Sequence, residues 1–438
     1  MNFSRGKLDD LKRRLLWTLL LLFVYRMAAQ VPVAGVNAAA IASYFNESGG
    51  GIFDLINTFS GGAFKRFSVL ALGIMPYITT SIIFSLLGEV IPQIKELQED
   101  ADGYKKIQKM TRYFTVLLCI FQGLGMATVF ENFKSVGGVP VIDNPGWFFR
   151  INTVVTLTAG TMFLLWLGER ITEYGIENGV SLIVFAGIAV ELPSEIIRRL
   201  NMFRNGEITG IQILIFFGVI ALAFYIVSYI ERSYRAVPVQ YAKKVVHNRV
   251  YGGTQNLPMR VDTGGVMPPI LASSLMAAPA TFASFMPSAD GHFAKFMEVI
   301  RDQLVPGKII YGVLFAFLII YMNYFYAPIG FKTKRISENL QKNNAFIPGV
   351  RPGVKTKEYL DYILYRLTFF SSLFLVVVCL APSAAIESTT RFGGTGLLIL
   401  VSVAIRAMLN IQAMLYSDRY ETAYKARGKY NGAGKKRF

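Results

Sequence analysis

The chain has 438 residues, of which 53% are hydrophobic and 17% are charged, and its net charge at neutral pH is +17. This composition excludes an ordinary soluble protein, in which about 25% of residues are charged. The two cysteines, Cys119 and Cys379, lie far apart inside apolar stretches. They therefore predict neither a disulfide framework nor a metal site.

Ten apolar stretches follow one another along the chain and predict ten membrane-spanning helices, each of about 20 residues. Lipid offers no hydrogen-bond partners, so each crossing segment must satisfy its own backbone by forming a helix. A polar turn alone separates the fourth and fifth stretches, and they are kept apart because merging them would break the alternation of loop charge. The predicted spans are residues 15–33, 69–88, 113–131, 151–167, 181–197, 209–230, 266–287, 309–327, 362–381 and 394–413.

Positive charge collects on one side of this array. The N-terminal segment 1–14, the even-numbered loops and the basic tail 414–438 carry a net charge of +14, against +3 for the odd-numbered loops. An excess of Lys and Arg marks cytoplasmic loops, so both termini are predicted to be cytoplasmic. The positive net charge is accordingly interpreted as a consequence of membrane topology rather than as a sign of nucleic-acid binding.

A short apolar segment between the first two spans is flanked by glycines. Residues 52–59 are too few to cross a bilayer. Residues 49–51 before the segment and residues 61–62 after it are all glycine, which predicts hinges. Two arrangements stay open: a half-helix that folds back into a cavity, or an external helix that rests on the surface.

Two nine-residue segments, one in span 2 and one at the start of span 7, are similar. GIMPYITTS at 73–81 and GVMPPILAS at 265–273 share Gly, Met, Pro, Ile and Ser at equal offsets. They lie five spans apart and run in opposite directions, so spans 1–5 and 6–10 are predicted to be inverted repeats. Pro76, Pro268 and Pro269 are expected to distort or unwind these two helices.

Two cytoplasmic loops, 231–265 and 328–361, are longer than a helix connection requires. The sequence RVYGGTQNLPMRV at 249–261 predicts a β-hairpin with its turn at 252–256. Long, ordered, basic loops predict docking to an acidic or anionic partner, and ribosomal RNA satisfies that requirement.

Motifs for catalysis or energy coupling are absent from the sequence. It has no phosphate-binding GxxxxGK[ST] loop and no HExxH motif. The span carboxylates Glu131, Glu191 and Glu195 lie toward outer ends, whereas ion-coupled carriers keep an ionisable group near the midplane. The sequence thus favours a passive conduit, with no enzymatic activity and no cofactor. The alternatives are a small-solute secondary transporter with inverted repeats and an intramembrane protease or lipid-modifying enzyme.

Three arginines lie within spans. Arg26 and Arg406 either snorkel to an interface, which is the commoner case, or occupy a polar groove. Arg366, near the cytoplasmic end of span 9, is expected to be interfacial.

Several long motifs resemble those of the SecY family, the channel subunits of bacterial protein export. They are FSGGAFKR at 59–66, SVLALGIMPYITTSIIFSLL at 68–87, WLGERITEYGIENGVSLIV at 166–184, AFIPGVRPGVKT at 345–356 and FGGTGLLI at 392–399, and the similarity runs from residue 31 to residue 424. The resemblance implies an all-α integral membrane protein with ten transmembrane helices in two inverted-repeat halves, 15–200 and 201–413. These halves would form a clamshell, hinged near the connection of spans 5 and 6, that opens laterally between spans 2 and 7.

The resemblance also implies three groups of functional residues. The segment 49–68 would be the plug, seated in the outer funnel at rest, with the residues Asp54, Leu55, Ile56, Asn57, Thr58, Phe59, Ser60, Gly61, Gly62, Ala63, Phe64, Lys65, Arg66 and Phe67. A ring of six apolar side chains would form the constriction: Ile74, Ile78, Val184, Ile188, Ile270 and Ile399. The polar residues of the lateral gate would form a hydrogen-bonded latch, or would simply allow close helix packing: Thr79, Thr80, Gln122, Ser273 and Ser274.

The resemblance further implies the partners. Arg249 and Arg351 would dock the SecA motor ATPase and the ribosome, either of which would drive transport. A small SecE subunit, often with SecG, would clamp the outside of the hinge. Signal sequences and unfolded precursor proteins would cross the bacterial plasma membrane or pass sideways into membrane lipids. No catalytic residue, metal or cofactor is implied.

Overall fold

The computed structural model describes residues 5–37, 40–41, 57–131, 141–142, 144–241, 244–246, 249–251, 253–285, 303, 308–385 and 394–433. Most of these residues are helical. The helices are α1 (Arg5–Ala28), α2 (Met75–Val90), α3 (Pro92–Glu99), α4 (Ala101–Glu131), α5 (Trp147–Tyr174), α6 (Gly179–Arg204), α7 (Gly210–Arg232), α8 (Met267–Phe285), α9 (Ile309–Gly330), α10 (Thr333–Lys342), α11 (Val354–Ala385) and α12 (Gly394–Ala433).

A helix overlaps each of the ten predicted spans: α1, α2, α4 to α9, α11 and α12. Among the described residues, seven helices are long and apolar enough to cross a membrane, or eight if α2 and α3, bent by 113°, form one crossing. Helix α1 is not among these helices, because basic residues near both of its ends leave an apolar run that is too short. The all-α membrane fold is confirmed, and the number of ten crossings stays a prediction.

Span 2 begins later than predicted, because residues 69–74 form turns and α2 starts only at Met75. Gly73 precedes the helix with a φ of +60°, a left-handed conformation that cannot continue a helix and that favours glycine. Pro76 lies in the first turn, where proline is tolerated because its missing N–H would have no helical partner. The expectation that Pro76 distorts α2 is therefore wrong, since this proline starts the helix.

The second copy of the repeat has the same local conformation. Gly265 has a φ of +62°, and α8 begins two residues later at Met267, so Pro268 and Pro269 also lie in a first turn. The expectation that they distort α8 is wrong for the same reason. The repeat predicted from five matching residues is therefore also a repeat of backbone structure.

The chain divides into two compact units, Met1–Ile197 with Val403–Phe438, and Arg198–Ser402. In the first unit, α4 and α5 pack side by side, and an ion pair joins them near each end. Arg112 Nη2 lies 2.6 Å from Glu169 Oε1, and Arg150 Nη2 lies 2.7 Å from Glu131 Oε2. Between these pairs Gly123 allows close approach, because a methyl group built on it would lie 3.4 Å from Val154 Cα.

In the second unit, strands from both long loops form a three-stranded β-sheet. Strand β1 (Tyr234–Tyr241) pairs antiparallel with β4 (Thr254–Arg260) and, on its other side, with β5 (Ala345–Phe346). The short strands β2 (Lys244–Val246) and β3 (Arg249–Tyr251) pair with each other. The predicted hairpin is therefore wrong: the chain on either side of residues 252–256 does not pair with itself, because β3 and β4 have different partners.

This sheet has its own apolar core. Side chains that alternate along β1, Val237 and Val239, are buried, as the two-residue period of a strand requires. They pack with residues from β4, α9, α10, α11 and the chain around β5, namely Met259, Ala327, Leu340, Ala345, Ile347, Leu360 and Leu364. The parts of the two loops around β1, β4 and β5 thus form a single folded body, called the loop body here.

We expect the two ion pairs between α4 and α5 to contribute unequally to stability. The side chain of Glu131 is 8% exposed and also accepts a hydrogen bond from the Gly146 N–H, whereas that of Glu169 is 45% exposed. Glu131→Gln should lower the thermal unfolding midpoint in detergent by about 3 °C, because it weakens several charge-assisted hydrogen bonds. Glu169→Gln, the matched control, should change it by about 1 °C or less. Equal shifts would contradict this difference.

Candidate functional site

Residues 57–67, called the plug segment here, form a compact turn. Residues 57–60 make one helical turn, and the chain then reverses at Gly61 and Gly62, whose φ angles are +67° and +82°. The Asn57 carbonyl accepts a hydrogen bond from Gly62 N at 3.0 Å, and Asn57 Oδ1 accepts one from Lys65 N at 3.1 Å. The glycines at 61 and 62 thus form a turn, while movement about them as a hinge stays a prediction, and residues 49–51 lie outside the described part of the chain.

The plug segment is buried within the first unit. Apart from Gly62, Lys65 and Arg66, each of its residues is buried. The external-surface arrangement is therefore wrong for this part of the chain. Of the predicted plug residues, Asp54, Leu55 and Ile56 fall outside the described residues.

Side chains of α1 and α6 bind the plug segment. Arg26 Nη1 donates to the carbonyl oxygen of Gly61 at 2.7 Å, and the Tyr25 hydroxyl donates to the carbonyl of Ser60 at 3.3 Å. From α6, Glu191 Oε1 accepts a hydrogen bond from Asn57 Nδ2 at 2.6 Å. The bond of Arg26 to a backbone carbonyl agrees with the polar-groove alternative, and its depth in the membrane stays a prediction.

The backbone of the plug segment touches the backbone of its neighbours. A methyl group built on Gly61 would lie 2.6 Å from Gly187 Cα of α6, and one built on Gly73 would lie 3.5 Å from Ser60 Cα. Gly187 and Gly73 immediately precede Ile188 and Ile74, two of the predicted ring residues. The turn at Ser60-Gly61 is thus seated beside the ring positions of the first unit.

Aromatic packing holds the other end of the plug segment. The ring centroid of Phe67 lies 4.1 Å from that of Phe130 on α4, and the centroid of Phe64 lies 5.8 Å from it. All three side chains belong to a buried apolar cluster of the first unit. Tilted ring pairs at such distances stabilise packing beyond the burial of their area.

All six predicted ring residues are buried, with exposed fractions between 0% and 6%. In the first unit, Ile74 and Ile78 lie one turn apart at the start of α2, and Val184 and Ile188 lie one turn apart on α6. In the second unit, Ile270 lies on the first turn of α8 and Ile399 on α12. Their meeting in one ring stays a prediction.

The lateral-gate hydroxyls bond within their own helices. Thr80 Oγ1 donates to Pro76 O at 2.9 Å, and the hydroxyls of Ser273 and Ser274 both donate to Ile270 O at 2.8 Å. These bonds agree with the close-packing interpretation. Gln122 on α4 and Thr79 on α2 are half-buried. A latch across the seam stays a prediction.

The two predicted docking residues lie on the folded loop body. Arg249 begins β3. Arg351 is exposed in the turn between β5 and α11, where Gly349 and Gly353 adopt φ angles of +81° and +95°. The Thr356 hydroxyl donates to the Arg351 carbonyl at 2.9 Å and so holds this turn in place. Arg351 is therefore presented from a structured surface.

Several residues that bind the plug segment were not predicted as site residues: Tyr25, Gly187 and Glu191. Glu191 offered a signal, since a carboxylate within an apolar span is a functional-site candidate by default. Gly187 offered none, because only the tertiary contact reveals why a side chain is excluded there. Arg366 is exposed, and its guanidinium lies 4.2 Å from the ring centroid of Tyr362; its interfacial position stays a prediction.

These features define a class: a multi-pass membrane protein in which a short segment of one helical turn and a chain reversal is buried among apolar helices. The SecY family model matches residues 68–408, and the chain is 40% identical to the protein translocase subunit SecY of Escherichia coli (strain K12) over 427 residues, or 96% of each chain. The chain belongs to the SecY family.

Solved structures share its fold. One concerns the plug domain of a SecY protein that stabilises the closed state of the translocation channel and maintains a membrane seal. It has a TM-score of 0.65 and 17% identity, with 93% of each chain covered. Another is Sec61 in the canine ribosome–channel complex from the endoplasmic reticulum, with a TM-score of 0.60, 16% identity and 93% of each chain covered.

We expect the Gly61 position to tolerate no side chain. Gly61 and Gly206 both adopt left-handed backbone, but a methyl group on Gly206 would meet nothing within 4 Å. Gly61→Ala should therefore cost about 1–3 kcal/mol more than Gly206→Ala, through the clash with Gly187 and the Tyr25 hydroxyl. Thermal unfolding of both variants in detergent measures the difference. Equal destabilisation would mean that the turn is not seated against α6.

Proposed function

We propose that this chain is the channel-forming subunit of a bacterial protein translocon. It passively conducts unfolded secretory proteins across the plasma membrane and releases transmembrane segments sideways into lipid. The observation that carries the proposal is the plug segment, a buried stretch of one helical turn and a chain reversal, seated beside Ile74 and Ile188. Membership of the SecY family supports it, since the Escherichia coli relative is a protein translocase subunit.

The six ring residues form the constriction of the channel. An apolar constriction dewets and so blocks ions, while its side chains can shift around a passing polypeptide. A polar ring would instead bind the substrate and admit water. The burial of all six side chains supports this role, and the plug closes the funnel above them at rest.

Signal sequences leave the channel between α2 and α8. The two copies of the repeat lie at the starts of these two helices. An apolar signal helix that reaches this seam partitions into lipid when the seam opens. Because the hydroxyls of Thr80, Ser273 and Ser274 already have acceptors within their own helices, opening exposes no unpaired donor from them. The gate can therefore open without a large desolvation penalty at these positions.

Energy comes from a partner docked on the loop body. This body presents exposed cations, namely Lys332, Lys334, Arg335, Lys342, Arg351 and Lys357. Clustered cations of this kind bind an acidic protein surface or RNA phosphates. The SecA motor ATPase and the ribosome are the proposed partners, and the similar canine Sec61 occurs in a ribosome–channel complex.

The chain lies in the bacterial plasma membrane with both termini in the cytoplasm. The net charge of +14 on one set of loops and +3 on the other supports this orientation. SecE, and often SecG, complete the complex on the outside of the hinge. Helix α7 offers a broad apolar surface to lipid or to such a subunit, since Ile211 and Leu214 are each 73% exposed.

Reconstitution tests the proposed function. Liposomes that contain this chain, SecE and SecG should protect a signal-bearing precursor from added protease when SecA and ATP are present. Ile270→Asn and Ile399→Asn should each increase the resting ion leak by roughly tenfold or more, because a polar side chain wets the constriction.

The matched controls are Ile270→Val and Ile399→Val, which keep an apolar side chain and should seal like the unchanged protein. A precursor without its signal should remain accessible to protease. Absence of protection by the unchanged protein would contradict the channel function, and equal leak through the Asn and Val variants would contradict the ring.

Docking is tested by charge reversal. Arg351→Glu should reduce SecA-driven transport by roughly tenfold, because it places a carboxylate against the acidic surface of the partner. Membrane insertion should stay intact. Lys109→Glu, at an exposed position on α4, is the control for the change in net charge and should transport normally. If Arg351→Glu exports normally or simply fails to accumulate, this residue has no docking role.

A further inference from the structure

The plug segment is attached by polar contacts at one end and by apolar contacts at the other. Three hydrogen bonds join residues 57–61 to α1 and α6, through Tyr25, Arg26 and Glu191. Phe64 and Phe67, in contrast, pack with Phe130 in the apolar cluster. Polar bonds exchange readily for bonds to water, whereas the aromatic contacts need burial. The hydrogen bonds at residues 57–61 are therefore the contacts that can be exchanged when the plug moves.

The contact between Asn57 and Glu191 differs from the other two. Tyr25 and Arg26 donate to backbone carbonyls, which any sequence in the turn would offer. Asn57 Nδ2 and Glu191 Oε1, 2.6 Å apart, are both side-chain atoms. Of these three bonds, this one alone depends on the identity of a plug side chain.

Asn57 bonds not only to Glu191 but also within the turn of the plug segment. Its Oδ1 atom accepts from Lys65 N at 3.1 Å, and its carbonyl accepts from Gly62 N at 3.0 Å. Glu191 lies close to the same turn, since a methyl group built on Gly62 would lie 3.7 Å from Glu191 Oε1. Release of Asn57 from Glu191 thus loosens the turn where it faces α6.

We propose that Asn57 and Glu191 form a latch that holds the plug closed and sets how readily the channel opens. The inference rests on the proposed function and adds two positioning residues to it. A carboxylate acceptor makes this hydrogen bond stronger than one between neutral groups. The latch therefore biases the plug toward its seated position, and an arriving signal sequence has to overcome that bias.

A reciprocal exchange tests the latch. Asn57→Asp sets two carboxylates against each other, so the resting ion leak of reconstituted vesicles should rise roughly tenfold or more. Asn57→Asp combined with Glu191→Gln restores an amide–carboxylate pair with its roles exchanged, and should return the leak to within roughly twofold of the unchanged protein. Transport of a precursor with a defective signal should rise in Asn57→Asp and return to the level of the unchanged protein in the double variant.

The controls separate the latch from general damage. Glu169→Gln removes a carboxylate elsewhere in the same unit and should leave the leak unchanged. If Asn57→Asp fails to accumulate, Glu191→Ala removes the acceptor without creating repulsion and should leak in the same way. A purely structural role would lower stability in every variant and would not be rescued by the exchange.

The outcomes distinguish the latch from the channel function. If Ile399→Asn leaks while Asn57→Asp and Glu191→Ala seal like the unchanged protein, the latch is wrong and the channel stands. If the double variant leaks as much as Asn57→Asp, the two side chains do not act as a pair and the latch is wrong. If the unchanged protein protects no precursor, the proposed function fails and the latch fails with it.

Discussion

Backbone groups that leave a helix inside a membrane protein must find partners, because lipid supplies none. The stretch between residues 57 and 74 is the place where this constraint acts most strongly. Its turns bond internally, as from Ser68 N to Ala63 O at 3.0 Å. Side chains from two helices serve three further carbonyls: Tyr25 and Arg26 from α1 donate to Ser60 and Gly61, and the Thr161 hydroxyl from α5 lies 3.2 Å from Gly73 O. The packing of the first unit and the proposed seal therefore depend on the same contacts.

The same constraint appears at the start of both repeat helices. In the first unit, Thr161 of α5 donates to the carbonyl of Gly73, just before α2. In the second unit, buried Asp262 accepts from Gly265 N at 2.9 Å and from the Ser371 hydroxyl of α11 at 3.0 Å, just before α8. Helices α5 and α11 correspond to spans 4 and 9, which the repeat predicted from the sequence makes equivalent. The backbone just before α2 and the backbone just before α8 are thus each held by the neighbouring helix that the predicted repeat makes equivalent.

Much of this architecture could be predicted from the sequence, because apolar length and loop charge act locally. The helices that overlap the predicted spans, the repeated local conformation and the turn at Gly61-Gly62 follow from composition and spacing. The pairing of β1 with β5 could not be predicted, since it joins loops separated by two spans, and the hairpin was misplaced because both candidate strands had alternative partners. Likewise, the burial of Asn57 against Glu191 depends on a tertiary contact that leaves no periodic signal in the chain.

The central claim is that a polypeptide in transit passes through the ring of six apolar side chains. Single cysteines at Ile78, Ile188, Ile270 and Ile399, in a chain whose Cys119 and Cys379 are replaced by Ala, can be cross-linked to a precursor stalled halfway. Leu214, which is 73% exposed on α7, supplies the control position. The account predicts cross-links from the four ring positions and none from Leu214. A stalled precursor that cross-links to Leu214 but to no ring position would contradict it.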